Sequence, residues 1–149
     1  DFFAHMEEID FCWRAQLAGY RIRVEPRSTV FHVGGGTLPN NSPQKIYLNF
    51  RNNLCMLFKN LSPGTFWPVL FSRMVLDGMA ALVFLVQGHP DFFKKVFRAH
   101  IDFHRQRKSL HEKRRAIQRH RVARPHGILR NSIILLHAFG YRTFDKVMR

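Results

Sequence analysis

Four ionisable side chains, Glu7, Glu8, Asp10 and Arg14, crowd the opening turns of a helical pattern in the run Phe3-Ala4-His5-Met6-Glu7-Glu8-Ile9-Asp10-Phe11-Cys12-Trp13-Arg14. A carboxylate within hydrogen-bond reach of a hydroxyl can take its proton as the oxygen attacks an electrophile, which is general-base chemistry. Successive helix residues point roughly 100° apart, so Glu7 and Glu8 address different directions and cannot share one role. Asp10 and Arg14 stand four apart, the spacing of a supporting ion pair on a helix surface. Carboxylates also complement the positive end of a helix, and on spacing alone that plainer explanation weighs more. An acidic cluster in a chain of net charge +14 still stands out, and a chain opening inside it is expected to be the C-terminal piece of a larger protein.

These residues need elements to position them. Ile9, Cys12, Trp13, Leu17 and Tyr20 recur at helical spacing, which predicts a helix from near His5 to Gly19, with Gly19 as its left-handed terminator. Arg21 to Glu25 alternates polar and apolar side chains and predicts a short strand; Ser28 to His32 predicts a second. Gly34 to Gly36 breaks regular structure, and Leu38 to Pro43 reads as loop. Helical spacing returns from Gln44 to Leu61, and again from Phe66 to Val86 in a more apolar segment where Arg73 and Asp77 can pair. Those two charges near its middle argue against a simple bilayer-spanning helix. From Phe92 to Arg124 the chain becomes a basic amphipathic helix, followed by an apolar piece from Ile128 to Phe139.

Composition narrows the class. A hydrophobic content of 46% argues against disorder, while fifteen Phe spread along 149 residues suit several small apolar faces that something outside the chain must cover. Two cysteines, Cys12 and Cys55, make no disulfide framework and fit a reducing cytoplasmic setting.

The run Glu7-Glu8-Ile9-Asp10-Phe11-Cys12-Trp13-Arg14, continued by Leu17-Ala18-Gly19-Tyr20-Arg21-Ile22, resembles the acidic motif of family-two inverting glycosyltransferases with the GT-A fold. His32-Val33-Gly34-Gly35 looks like their late His-Gly-Gly segment, and Tyr47-Leu48-Asn49-Phe50-Arg51-Asn52-Asn53 like their downstream Arg-Asn helix. The three landmarks fall in the family's order over roughly the first sixty residues. The resemblance implies an α/β, mostly helical fragment: residues 1–62 as the C-terminal part of the GT-A catalytic domain, and residues 63–149 as an amphipathic, basic helical tail on the membrane. It implies that Glu8, where many relatives have Asp, is the base that deprotonates the acceptor, and that Glu7 orients neighbours or binds acceptor. Asp10 and Arg14 would support them. It further implies that Gly34 and Gly35 let the backbone approach a ligand and that Arg51 contacts donor phosphate or lipid, although an Arg on an apolar helix equally snorkels. His32 would complete the shell of a divalent metal, Mg or Mn, or touch the diphosphate. Most of that metal's ligands, and the donor site, would lie upstream, so the fragment alone is not expected to catalyse transfer. The implied partners are a nucleotide-sugar donor, a glycan or lipid-linked acceptor in cell-envelope glycan synthesis, and the anionic cytoplasmic face of the cell membrane.

A pI near 11.1 also fits a nucleic-acid-binding module. No nucleic-acid motif accompanies it, and bulky apolar residues interleave the basic run as a lipid surface requires, so no nucleic-acid partner is expected. A purely structural membrane-surface helical module explains residues 66–149 but leaves the acidic run unexplained.

Overall fold

The computed structural model describes residues 2–31, 39, 42–125 and 140. Among them five α-helices follow in order: α1 (Glu7–Leu17), α2 (Pro43–Asn60), α3 (Pro63–Val86), α4 (Pro90–Arg105) and α5 (Arg107–Arg119). The expected mostly helical character holds. The two strands expected at 21–25 and 28–32 do not form; residues 21–31 are neither helix nor strand, and His32 lies outside the described residues. Val24, Val30 and Phe31 are exposed, Phe31 at 96%. Alternation creates a buried face only where another strand pairs and a core covers it. Neither is present among the described residues, which therefore contain no sheet.

Local chemistry sets the helix ends. Helix α1 starts at Glu7 rather than near His5, because His5 and Met6 hold left-handed backbone angles, φ 68° and 70°. It closes as sequence spacing predicted: Gly19 sits at φ 90°, its N–H donates to Gln16 O at 3.0 Å, and Tyr20 N–H donates to Ala15 O at 3.0 Å. This paired closure uses a left-handed residue that glycine alone adopts without strain. Val122 and Ala123, beyond α5, both donate backbone N–H groups to Leu17 O, at 2.9 and 3.2 Å, and so tie the far end of the fold to the end of α1. Helix α2 opens on Ser42, whose hydroxyl accepts from Lys45 N–H at 3.1 Å, with Pro43 in the first turn.

The single basic helix expected over 92–124 is two helices divided at Gln106. The break turns α5 across the C-terminal end of α2, where orphan carbonyls need donors. Arg114 donates to Phe58 O at 2.6 Å, and Gln118 reaches Lys59 O, Asn60 O and Leu61 O at 3.2, 3.3 and 3.4 Å.

Helix α2 is the central element, packed most extensively on α4 and flanked by α1, α3 and α5. Phe58 sits at the middle of the core, edge-on to Phe66 of α3 at 5.2 Å, Phe103 of α4 at 5.7 Å and His111 of α5 at 4.9 Å. Leu54, Cys55, Leu61, Leu70 and Leu110 complete the cluster. Several small apolar faces were expected; the helices instead share one cluster, and the outer side of α3 stays open.

Two polar pins add register. Asp102 of α4 accepts from Tyr47 Oη of α2 at 2.9 Å, and from Arg98 and Arg105 at 3.0 and 3.3 Å. The expected Arg73–Asp77 pair forms at 2.8 Å, and His100 Nε2 of α4 joins it 3.1 Å from the buried Asp77 carboxylate.

Candidate functional site

The turn before α1 is built by α2. Asn52, fully buried, donates its side-chain amide to Ala4 O at 2.7 Å and His5 O at 2.9 Å. Its own carbonyl oxygen accepts from Arg51 Nε at 2.9 Å and Nη2 at 2.6 Å, while the Arg51 guanidinium lies 5.6 Å from the centre of the Tyr47 ring. Two consecutive non-glycine residues at positive φ cost of order 1–3 kcal/mol each, and persist only where the surroundings over-determine them. Here Asn52 supplies that constraint. The strained turn delivers Glu7 and Glu8 as the first two residues of α1, both exposed.

One turn on, Asp10 is buried rather than on the helix surface as its spacing with Arg14 suggested. Arg14 Nε does pair with it, at 2.9 Å, but so do Lys59 Nζ at 3.1 Å and Asn60 Nδ2 at 2.8 Å from α2. Lys59 is itself only 3% exposed and lies 4.4 Å from the Phe2 ring centre. Burial pushes its ammonium below its ordinary pKa, and the Asp10 carboxylate works against that shift. Desolvating both ions is expensive, and the pair is tolerable because further donors fill the carboxylate's lone pairs. Asp10 is thereby the weld between α1 and α2.

Between α1, α2 and α5 lies an open cavity of about 410 Å³, with Glu7, Asp10, Arg14, Lys59 and Lys113 on its polar side and Phe2 and Ile117 on its apolar side. The structure thus brings Glu7, Asp10 and Arg14 onto one face. Glu8 does not line this cavity, as the 100° step between neighbours requires. Arg51 engages Asn52 and Tyr47, beside the residue that anchors the acidic turn and more than two helical turns from Lys59 and Asn60, which anchor Asp10. His32, Gly34 and Gly35 lie outside the described residues. No group of three or more His, Cys, Asp or Glu converges as metal ligands among the described residues.

Three residues that sequence reasoning left without a role hold this site together: Asn52, Lys59 and Asn60. For Asn52 and Lys59 the signal was present in the spacing. Leu48, Asn52, Cys55 and Lys59 recur at intervals of four, three and four, so the two polar residues fall on an apolar stripe, where a buried polar group must have a partner. Compared with protein-family models, curated proteins and solved structures, the chain matches none of them.

Proposed function

We propose that the chain is the C-terminal part of an inverting glycosyltransferase of GT-A type. It moves a sugar from a nucleotide-sugar donor to a lipid-linked or polysaccharide acceptor in cell-envelope glycan synthesis, at the cytoplasmic face of the membrane. The observation that carries this reading is the contact between two separate landmarks of the resemblance. The Asn of the Arg-Asn helix holds the backbone immediately before the acidic pair, through Asn52 to Ala4 O and His5 O. Strain beside a pair of exposed carboxylates, held by so specific a support, favours this reading.

In the proposed reaction Glu8 takes the proton of an acceptor hydroxyl. The acceptor oxygen bonds to the anomeric carbon from one face as the bond to the nucleoside diphosphate breaks on the other, which inverts the configuration. Glu8 is exposed, as a base that must meet an incoming hydroxyl has to be. Glu7, at the mouth of the cavity, orients the acceptor, and Asp10 with Arg14 and Lys59 fixes the helix that carries both. A divalent metal, Mg or Mn, held mostly by residues outside this chain with His32 as one ligand, would neutralise the charge of the leaving diphosphate. The test is full-length enzyme with Glu8→Gln, which is expected to keep nucleotide-sugar binding and lose transfer by at least a hundredfold, within the range of a positioned general base of about 10²–10⁴. Transfer at a near-normal rate would remove Glu8 from the role.

A further inference from the structure

Arg14 is held by one edge only. Its Nε donates to Asp10 Oδ2 at 2.9 Å, and neither of its Nη nitrogens has a hydrogen-bond partner among the described residues. Asp10 is fixed in turn from α2, by Lys59 at 3.1 Å and Asn60 at 2.8 Å, so the bond that orients the guanidinium starts from a buried, rigid point. A planar guanidinium anchored through Nε presents its two Nη nitrogens as a preset fork, whose geometry matches two oxygens of one carboxylate or phosphate.

The fork opens on space. Arg14 lines the cavity of about 410 Å³ between α1, α2 and α5, and also a second cavity of about 240 Å³ that reaches Ala18 and His120. Ala116 and Ile117 of α5 line both, so the two cavities meet at Arg14 in a groove between α1 and α5. Helix α1 turns Glu7, Asp10, Arg14 and Ala18 toward it, at the spacing of one helical face.

Charge and reach define what fits. In the larger cavity Arg14, Lys59 and Lys113 face Glu7 and Asp10, an excess of one cation. Because Arg14 reaches back to Asp10, its guanidinium lies at the level of that residue, ~4.5 Å of helical rise from Glu7. That separation is about the width of one sugar ring. A carboxylate such as Glu7 accepts hydroxyl bonds, an arginine fork takes an oxyanion, and Phe2 and Ile117 offer an apolar wall to ring C–H groups. An uncharged sugar would leave the fork unanswered, and a bare anion would meet the charge of Glu7 with no hydroxyl to offer it. In an inverting transfer the base and the leaving diphosphate lie on opposite faces of the anomeric carbon. An anion bound one turn from Glu7, the neighbour of the proposed base, therefore belongs to the acceptor.

The geometry points to an acceptor subsite in this groove, where Arg14, with Lys113 on the facing helix, takes a carboxylate or phosphate carried by the acceptor sugar while Glu7 takes a hydroxyl of the same sugar. The acceptor is then an acidic or phosphorylated glycan. Calling the ligand an acceptor rests on the transferase reading; the binding itself does not.

Calorimetric titration of the full-length protein, without donor, compares methyl β-glucuronide, glucose 6-phosphate and neutral methyl β-glucoside. At least one anionic probe is expected to bind about tenfold tighter than the neutral one, and the tighter of the two identifies the oxyanion. Arg14→Gln is expected to abolish that preference, and Lys113→Gln to reduce it about threefold. Equal or absent binding of all three probes would overturn the subsite. So would a preference that survives Arg14→Gln, or that survives Lys113→Gln undiminished should the first variant not fold. Inorganic phosphate binding as tightly as glucose 6-phosphate would overturn the sugar's part in it. Uridine or thymidine diphosphate binding tighter than every sugar probe, and losing that binding in Arg14→Gln, would assign the fork to the donor. Probe binding by a protein that transfers no sugar would remove the transferase reading and leave the subsite, whereas transfer to neutral glycans alone would do the reverse.

Discussion

Asp10 shows how much a burial state changes what a spacing means. As a surface pair with Arg14 it would contribute at most a few tenths of a kcal/mol. Buried, with Lys59 and Asn60 added, it becomes a group whose partners cannot be removed singly without consequence. Lys59→Met is expected to destabilise the chain by about 3 kcal/mol, because it strands a buried carboxylate with Arg14 at one edge and one amide. Asp10→Leu combined with Lys59→Met removes both ions together and should cost clearly less than the single change. Urea denaturation followed by circular dichroism measures both; a double variant as unstable as the two single losses combined would mean the two ions are not coupled. The role of Asp10 was legible in the sequence only as far as its i,i+4 partner, since its other two partners are 49 and 50 residues away.

At the scale of elements, helices were readable and their partners were not. Periodicity located α1, α2 and α3 to within a few residues, and Gly19 ended α1 as its left-handed geometry requires. The strands at 21–25 and 28–32 were misread because alternation reports a face, while only a neighbouring strand makes it a sheet. The division at Gln106 was invisible because its cause is the capping of α2 by Arg114 and Gln118, a contact across more than fifty residues. The site was half legible in the same sense: Glu7 and Glu8 stood out, but the support from Asn52 arrives across 47 and 48 residues. The α2–α4 pin gives a pH test. Desolvation alone would raise the Asp102 carboxyl, but hydrogen bonds from Arg98 and Tyr47 and the charges of Arg98 and Arg105 outweigh it and hold the group below its ordinary value. A depressed carboxylate contributes stability that is complete above its unfolded pKa and lost as pH falls through the folded one. Tyr47→Phe should therefore cost about 1.5 kcal/mol at pH 7 and progressively less below pH about 4, read from denaturation midpoints across that range. An equal loss at pH 7 and pH 2 would place the effect in packing instead.

For the whole molecule, the contrast lies between a core gathered on Phe58 and an α1 attached at its edges. Helix α1 contributes only Leu17 and Asp10 to the buried set, and it is held by side chains of α2 and by the two backbone bonds from Val122 and Ala123 to Leu17 O. Local opening follows such attachment, with the least buried unit opening first. Amide hydrogen exchange is expected to be faster across α1 than across residues 54–58 of α2. Gly19→Ala forces a side chain into a left-handed position with Val122 Cγ2 at 3.0 Å, and should speed α1 further while leaving those α2 amides unchanged. Equal acceleration in both would show a single cooperative unit. The clasp from Val122 and Ala123 has a further consequence in folding order. It joins residues more than a hundred positions apart, so its loop-closure entropy is smallest once α2 to α5 have brought the two ends together.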